Sequence, residues 1–371
     1  MFDAEKKISC LEELPTPALV IDGAIAKQNI ERLAHYAAQH GLKVRPHTKT
    51  HKSRWIARMQ MDAGAVGLTV AKVGEAEVLQ TESDDLLIAY PAVDSARCRR
   101  LAELARRKTI RVVVDSPVGI EALGRAATEA TNQIGVLIEI DVGMGRTGVS
   151  SAMEALKLAQ LAAYTPGLRL DGILCYPGQI WKAIQDQGDP LASVDAKLQE
   201  AIDLWAANGL EARIISGGST PTAFQSHFVK AYTEIRPGTY VFNDMNTVRG
   251  GFCALEDCAA RIVCTVVSDA VKNQVVIDGG TKTFTSDLCL PARESGHGYM
   301  IEFPQGKIAR LSEEHGQVHV SQCQRQPKVG ERVSVIPNHI CPCVNLQDAI
   351  WWQEADGSLR QIRVDGRGRL S

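Results

Sequence analysis

Hydrophobic positions in this chain come in two alternating textures. Residues 18–21 form an unbroken apolar run, and in 24–39 the apolar residues return every three or four positions, as on one face of a helix. The pair then repeats. Strand-like runs fall at 43–47, 65–70, 85–90, 110–115, 136–141, 170–175, 212–216 and 233–236. Helix-spaced segments lie between them at 53–63, 72–80, 95–107, 116–129, 152–163, 190–207 and 221–230. Eight short strands alternating with helices over about 200 residues predict a (β/α)8 barrel of the TIM type. An open doubly wound sheet usually carries a Gly-rich fingerprint after its first strand, and none stands there.

Beyond Phe252 the texture changes. Runs at 260–268, 274–278, 317–320, 332–337 and 358–364 read as strands joined by turns that bear Gly and Pro. The expected architecture is therefore α/β in two domains, a barrel over 1–250 and a mainly β domain over 251–371. Segment 18–22 precedes the first barrel unit and is a candidate to join the β domain.

The 371 residues are 45% hydrophobic and 23% charged, ordinary for a globular enzyme. Lys and Arg number 41 against 43 Asp and Glu, a balance that argues against a nucleic-acid partner. No apolar run is long enough to span a bilayer, and residues 1–14 lack a charged-then-apolar leader. The expectation is a cytoplasmic location and no membrane partner. Ten cysteines are too sparse for a disulfide scaffold. Cys175 and Cys264 sit in apolar strands and read as core residues.

In such a barrel the reacting groups come from the C-terminal ends of the strands and the loops after them. The first strand runs into Arg45-Pro46-His47-Thr48-Lys49-Thr50-His51-Lys52. If it stays extended, Arg45, His47, Lys49 and His51 share one face. That face is costly to bury unless an anion or cofactor compensates it; the bland alternative is a solvated edge strand, which Pro46 favours. Lys49 is the candidate for a Schiff base. Lys52 is its rival, but has the opposite parity and begins the next helix.

After the seventh strand, Ser216-Gly217-Gly218-Ser219-Thr220-Pro221-Thr222 leads into the next helical segment. Backbone N–H groups at a helix start make an anion site, and barrels often hold a phosphate at this position. After the fifth strand, the Gly-rich Asp141–Gly148 loop brings Arg146 to the mouth, where it can meet a phenolate or carboxylate. Tyr176 follows the sixth strand, and Arg236 and Tyr240 belong to the eighth; all three are rim candidates.

In the β domain, His339 and Cys341 share a face if Pro337-Asn338-His339-Ile340-Cys341 is extended. Imidazole and thiolate are zinc-type ligands, and two protein donors leave positions for water or substrate. An isolated His-x-Cys triplet is usually accidental; the barrel features are what favour metal binding here. Ser312-Glu313-Glu314-His315 is a second polar knot, with His315 either catalytic or a surface histidine.

Taken together, these motifs resemble the D-threonine aldolase and D-serine dehydratase family of fold-type III pyridoxal-phosphate enzymes. The likeness runs from Thr16-Pro17 to the metal triplet, and its specific segments are 45–52, 217–222, 236–240 and 337–341. It implies an alanine-racemase-like barrel plus β domain, typically a homodimer, and a lyase acting on a small D-3-hydroxy-amino acid. It implies pyridoxal 5'-phosphate carried by Lys49, with His47 beside it. Gly218, Ser219 and Thr220 would hold the phosphate, Arg146 would sit near the ring oxygen, and Tyr176, Arg236 and Tyr240 would line the site. It also implies a divalent metal on His339 and Cys341, zinc first, with manganese or magnesium as alternatives.

Two reactions stay open within the family: dehydration to a 2-keto acid and ammonia, and retro-aldol cleavage to glycine and an aldehyde. The D-threonine aldolases pair the metal histidine with an aspartate and carry a histidine base a few residues after the position of Tyr176. Here the second ligand is Cys341, and Gln179 to Gln187 contains no histidine. Both departures lean towards dehydration; in the aldolase reading His315 would supply the missing base. A racemase would need a second base opposite Lys49 and no metal pair. A non-catalytic pyridoxal-phosphate-binding protein would resemble the barrel alone.

Overall fold

The computed structural model describes residues 6–371. The chain divides into two compact units. One holds Glu31–Lys49, Ile56–Gly238 and Gly368–Ser371; the other holds the chain up to Ile30, Thr50–Trp55 and Thr239–Arg367.

The first of these contains an eight-stranded parallel sheet: β1 (Lys43–Val44), β2 (Leu68–Val70), β3 (Asp85–Ile88), β4 (Thr109–Val114), β5 (Ile134–Ile140), β6 (Leu168–Cys175), β7 (Ile214–Gly217) and β8 (Glu234–Ile235). From β2 to β8 each strand pairs with the next, and β8 pairs back to β1. The cylinder closes where Val66 N–H donates to Val44 (2.9 Å), Thr69 N–H donates to Pro46 (2.9 Å), and His47 bridges Thr69. The result is the (β/α)8 barrel.

Every residue of β5 is buried, Glu139 included, as expected of a parallel strand covered on both faces. Leu87, Val113, Leu137 and Leu174, from β3 to β6, pack into one buried cluster. Burying such a side chain contributes about 1.5–3 kcal/mol. The helices start where the sequence offers caps. Asp94 accepts from Arg97 N–H to open Ser95–Ala105, Ser116 precedes Pro117–Glu129, and Ser151 with Glu154 forms a capping box on Ala152–Tyr164.

Two local expectations fail. The named strand at 43–47 is only Lys43–Val44, although Arg45 and His47 N–H still donate to Ile235 (2.9 Å) and Pro237 (3.0 Å), and Thr48–Thr50 is a tight 3-10 turn. Pro46 has no N–H to offer a ladder, and the Thr48 hydroxyl bonds the Thr69 carbonyl at 3.0 Å. Lys49 and His51 therefore do not share a strand face with Arg45. The segment after the Gly-Gly turn is a 3-10 helix, Ala223–Phe228, and not an α-helix over 221–230. The Ser226 hydroxyl bonds the Thr222 carbonyl at 3.0 Å, a local side-chain bond that competes with helix formation.

The other unit is built on a ten-stranded sheet. Ala18–Asp22 lies inside it, antiparallel to Ala260–Ser268 and parallel to Ala349–Gln353. Ala260–Ser268 also pairs with Gln274–Ile277 and Arg332–Ile336. Leu14, Ala18, Val20, Val263, Trp351 and Leu359 form its buried cluster. Thr239 to Cys258 belongs with this unit, ahead of residue 251. Backbone bonds explain it: Met245 N–H donates to Pro337 (3.0 Å), Asn246 N–H to Asn338 (3.1 Å), and Ala259 N–H to Phe242 (2.7 Å). Among the described residues no helix is long and apolar enough to cross a membrane.

Candidate active site

The 3-10 turn after β1 puts Lys49 partly exposed, with its Nζ 5.9 Å from the centre of the Tyr176 ring. The Arg146 guanidinium lies 4.7 Å from the same ring. Tyr176 thus gathers two predicted site residues around one aromatic ring, whose π-system attracts cations. Arg146 reaches it because Asp141 folds the loop. Its carboxylate accepts N–H bonds from Gly143, Met144 and Gly145 at 2.8–3.2 Å. Burial pushes the Asp141 carboxyl up, but these bonds outweigh it and hold the group below its ordinary value. Glu139, Asp141, Arg146, Thr147 and Tyr176 line one cleft. Burial raises the Glu139 carboxyl, against a 2.9 Å bond from the Thr147 hydroxyl.

Lys52, the rival lysine, is committed elsewhere. Its backbone is left-handed (φ 49°), its Nζ donates to Asn345 Oδ1 at 2.8 Å, and its carbonyl accepts from Gly366 N–H at 2.8 Å. His47 is half-buried, with its Nδ1 3.4 Å from Lys49 N. His51 is buried, and its Nδ1 accepts from Ser53 N–H at 3.1 Å.

At the Gly-Gly turn, a Cβ on Gly217 would run into the Tyr232 ring, and Gly218 has φ +81°. Both glycines are required, one by space and the other by conformation. Ser219 and Thr222 are buried with their hydroxyls 3.0 Å apart, and Thr220 stands beside them. Small residues and buried hydroxyls fit a phosphate; with only a 3-10 helix following, little helix dipole is added.

Arg236 is placed differently from the rim expectation. It is buried beneath this turn, donating to Ser216 Oγ (2.7 Å) and the Cys175 carbonyl (2.8 Å). It supports the turn and has no guanidinium edge in solvent. Arg45 is also inward. Its Nε donates to both Glu234 oxygens at 2.9 Å, and its Nη1 to Asp85 at 2.7 Å. The compensating charge for Arg45 is thus a pair of carboxylates in the barrel, not a ligand.

In the β unit, His339 precedes a short helix, Ile340–Asn345, with Cys341 in its first turn. The segment is not extended, yet the imidazole and thiol still act on each other electrostatically. Burial lowers the His339 pKa, but Cys341, Asp244 and Asp287 outweigh it and raise it to about 9. Burial raises the Cys341 thiol, and the neighbouring His339 cation and the Thr50 hydroxyl outweigh it and pull it down. Cys341 Sγ lies 3.3 Å from Thr50 Oγ1 and 3.6 Å from Thr239 Oγ1. Thr50 is the residue after Lys49, and Tyr240, buried, follows Thr239. His339 Nδ1 is 2.9 Å from Asp287 Oδ2. Among the described residues no cluster of three or more metal-type side chains forms. The donor set nonetheless fits a cation: an imidazole and a thiol with a lowered pKa are groups that a divalent ion binds with loss of a proton, and the Asp287 carboxylate flanks the histidine.

His315 is exposed at the turn between Lys307–Leu311 and Gly316–His319, where its carbonyl accepts from Ser312 N–H at 3.0 Å. No side-chain bond among the described residues brings it to His339 or Cys341. Sequence reasoning missed Asp244, Asp287, Thr239 and Thr50 as neighbours of the metal pair. Thr50, inside the 45–52 motif, and Thr239, inside 236–240, left a signal; the two aspartates left none.

Residues 21–246 match the alanine racemase N-terminal domain, and residues 259–352 a putative serine dehydratase domain. The chain is 30% identical over 346 residues to a D-threonine aldolase from an Arthrobacter species, covering 92% of this chain and 89% of that protein. It is 30% identical over 369 residues to a D-threo-3-hydroxyaspartate dehydratase from a Delftia species, covering 94% and 96%. The solved structure of that dehydratase has a TM-score of 0.89 at 28% identity over 96% of this chain and 99% of that one. Variants of it have been solved with alanine at a histidine and at a cysteine two positions further on, the latter in a metal-free form. The D-threonine aldolase of Filomicrobium marinum has a TM-score of 0.91 at 28% identity, covering 99% of this chain and 100% of that one. The chain belongs to the D-threonine aldolase and D-serine dehydratase family of alanine-racemase-like pyridoxal-phosphate lyases.

Proposed function

We propose that this protein dehydrates a small D-3-hydroxy-amino acid to a 2-keto acid and ammonia. The observation that carries the reading is the His339–Cys341 pair. It has the spacing of the histidine and cysteine whose variants were solved in the Delftia dehydratase, and each group shifts the other's pKa. The loop after Tyr176 supports it, since 177–187 holds no histidine. In its place the Gln179 amide donates to the Val142 carbonyl at 2.8 Å, which orders the loop but offers no base.

When bound, pyridoxal phosphate supplies an electron sink for charge developing at the substrate Cα, and a divalent cation supplies Lewis acidity at the β-oxygen. Lys49 would hold the cofactor through Nζ, and that amine, released by the incoming substrate amine, takes the α-proton. Gly217 to Thr222 would hold the phosphate, and Arg146 would bring positive charge to the face of Tyr176. His339 and Cys341 would hold the cation, with Thr50 and Thr239 hydroxyls donating to the thiolate. Loss of water leaves an enamine, whose hydrolysis gives the keto acid and ammonia.

The test is product identity. Pyridoxal-phosphate-loaded protein is incubated with D-serine, D-threonine and D-threo-3-hydroxyaspartate, with zinc, with manganese and after chelation. Keto acid with stoichiometric ammonia is expected. Glycine with an aldehyde would replace this reading by the aldolase one, and conversion between enantiomers alone would mean a racemase with no use for the metal pair.

A further inference from the structure

The 3-10 helix Ala223–Phe228, which follows the Gly-Gly turn, is fastened by a ring cluster that the site described above does not use. Tyr36 comes from the helix Gly23–Gln39 and His40 from the residue just beyond it. The Tyr36 hydroxyl accepts the His227 backbone N–H at 3.1 Å and lies 2.8 Å from His227 Nδ1. The His40 and His227 rings stack, with centroids 4.2 Å apart and planes 11° apart. Phe224 meets the Tyr36 ring edge-on at 5.3 Å. All of these residues belong to the barrel unit. The same 3-10 helix supports the turn before it. Ser226, the residue before His227, bonds the Thr222 carbonyl at 3.0 Å, and its Oγ lies 3.5 Å from where a Cβ on Gly218 would stand. Ala223 and Gln225 N–H donate to the Thr220 and Thr222 carbonyls at 3.2 and 3.0 Å.

A hydroxyl has one proton to give. With its oxygen already accepting the backbone N–H, Tyr36 gives that proton to Nδ1, which leaves His227 a neutral imidazole protonated at Nε2. Protonation of Nδ1 puts a second donor against the Tyr36 oxygen and a cation on the face of the His40 ring. The surrounding charges do not compensate it. Lys230, whose Nζ donates to the His227 carbonyl at 3.0 Å, is a like charge, and so is Arg32, 5.3 Å from the Phe224 ring. The helix Gly188–Ala207 also packs on this segment, and its Asp195 is engaged by Ala231 N–H at 2.8 Å. Burial, then His40 and Lys230, hold the His227 imidazole below its ordinary value. The contribution of the Tyr36–His227 contact is therefore present above the ordinary histidine value and is lost as pH falls through the lower, folded one.

We propose that Tyr36 and His227 form a pH-sensitive clamp on the turn Gly217–Thr222, closed while His227 is neutral and open once it is protonated. Opening frees Ala223–Phe228 from the helix Gly23–Gln39, and the turn loses the support of Ser226. Cofactor then leaves more readily in acid; that consequence rests on the reading of the turn as the phosphate site.

Amide hydrogen exchange is followed on the full chain, with and without pyridoxal 5'-phosphate, and expressed as protection factors so that the intrinsic pH dependence of exchange cancels. Protection over 218–229 is expected to fall several-fold between about pH 7.5 and about pH 5.5, while β4 keeps its own. Release of cofactor from the holoenzyme, read by dialysis, should quicken several-fold over the same interval. His227→Gln, which cannot titrate, should show neither response, and Tyr36→Phe should show low protection at both pH values. Titrations of the cofactor itself are common to wild type and variants, so the difference between them isolates His227. An acid response retained in His227→Gln overturns the proposal, as does full protection over 218–229 in Tyr36→Phe at neutral pH. The exchange response with unchanged release would instead fault the phosphate reading of the turn, and the release in acid with it. The exchange arm needs neither turnover nor bound phosphate, so the two failures are separable.

Discussion

Arg45→Met tests whether the conspicuous cation at the end of β1 is structural. Arg45 and Glu234 are each only 3% exposed, and Arg45 Nε contacts both Glu234 oxygens at 2.9 Å. Removing one partner of a buried pair typically costs about 3–5 kcal/mol, because the other charge is left without compensation. Two neighbours moderate that here. The Ser216 hydroxyl still donates to Glu234 at 2.6 Å, and Asp85 keeps its pairing with Arg111. The expected loss is therefore at the low end, about 3 kcal/mol. Glu234→Gln leaves Arg45 paired with Asp85 and should cost about 1–2 kcal/mol. The double variant should fall short of the sum by more than about 1 kcal/mol, since the two groups share one interaction. The assay is urea denaturation of the cofactor-free protein, followed by far-ultraviolet circular dichroism. An Arg45→Met cost below about 1 kcal/mol, the worth of a surface pair, would refute the buried-pair account. So would strict additivity.

Lys49→Ala should abolish the visible absorbance of bound pyridoxal phosphate while Lys52→Ala retains it; retention in Lys49→Ala would transfer the role. Gly217→Ala should weaken cofactor binding by about 1–3 kcal/mol, an overpacking cost, because the new methyl meets the buried Tyr232 ring; equilibrium dialysis reads it. Asp141 should titrate below its ordinary value of 3.8. A depressed folded pKa means that its contribution is present above the unfolded value and disappears as pH falls through the folded one. Carboxyl carbon shifts of Asp141, with amide exchange at Gly143–Gly145, should show the loop loosening only below that value. Loosening near neutral pH would contradict the assignment.

The barrel was legible because its interior strands are buried on both sides. The β5 run announces itself as apolar but for Glu139, and Asp94, Ser116 and Ser151 mark the helix starts. The two shortest strands were overestimated for a physical reason. Apolar alternation reports which side chains are buried and not where the backbone turns, and after His47 the chain leaves the strand for the 3-10 turn Thr48–Thr50. The parity argument built on 43–51 failed at that point. Lys49 survives as the candidate through the turn that follows Thr48, and Lys52 loses ground because its ammonium and carbonyl are already bonded to Asn345 and Gly366.

The site divides along sequence separation. Residues of one loop, such as Gly217 to Thr222, declare their shared purpose because their spacing is local. The environment of His339 and Cys341 does not, since it comes from Asp287, Asp244 and Thr239, which lie 52, 96 and 102 residues from their partners. Composition and periodicity carry no information about such meetings. The expectation of an extended triplet was also wrong, but the chemistry survives the change of backbone. A residue just before a helix and one in its first turn can meet as readily as two on a strand face. What the helix adds is a fixed amide, Ile340 N–H, bonded to Asp244. That bond ties the orientation of the His339 segment to a buried carboxylate.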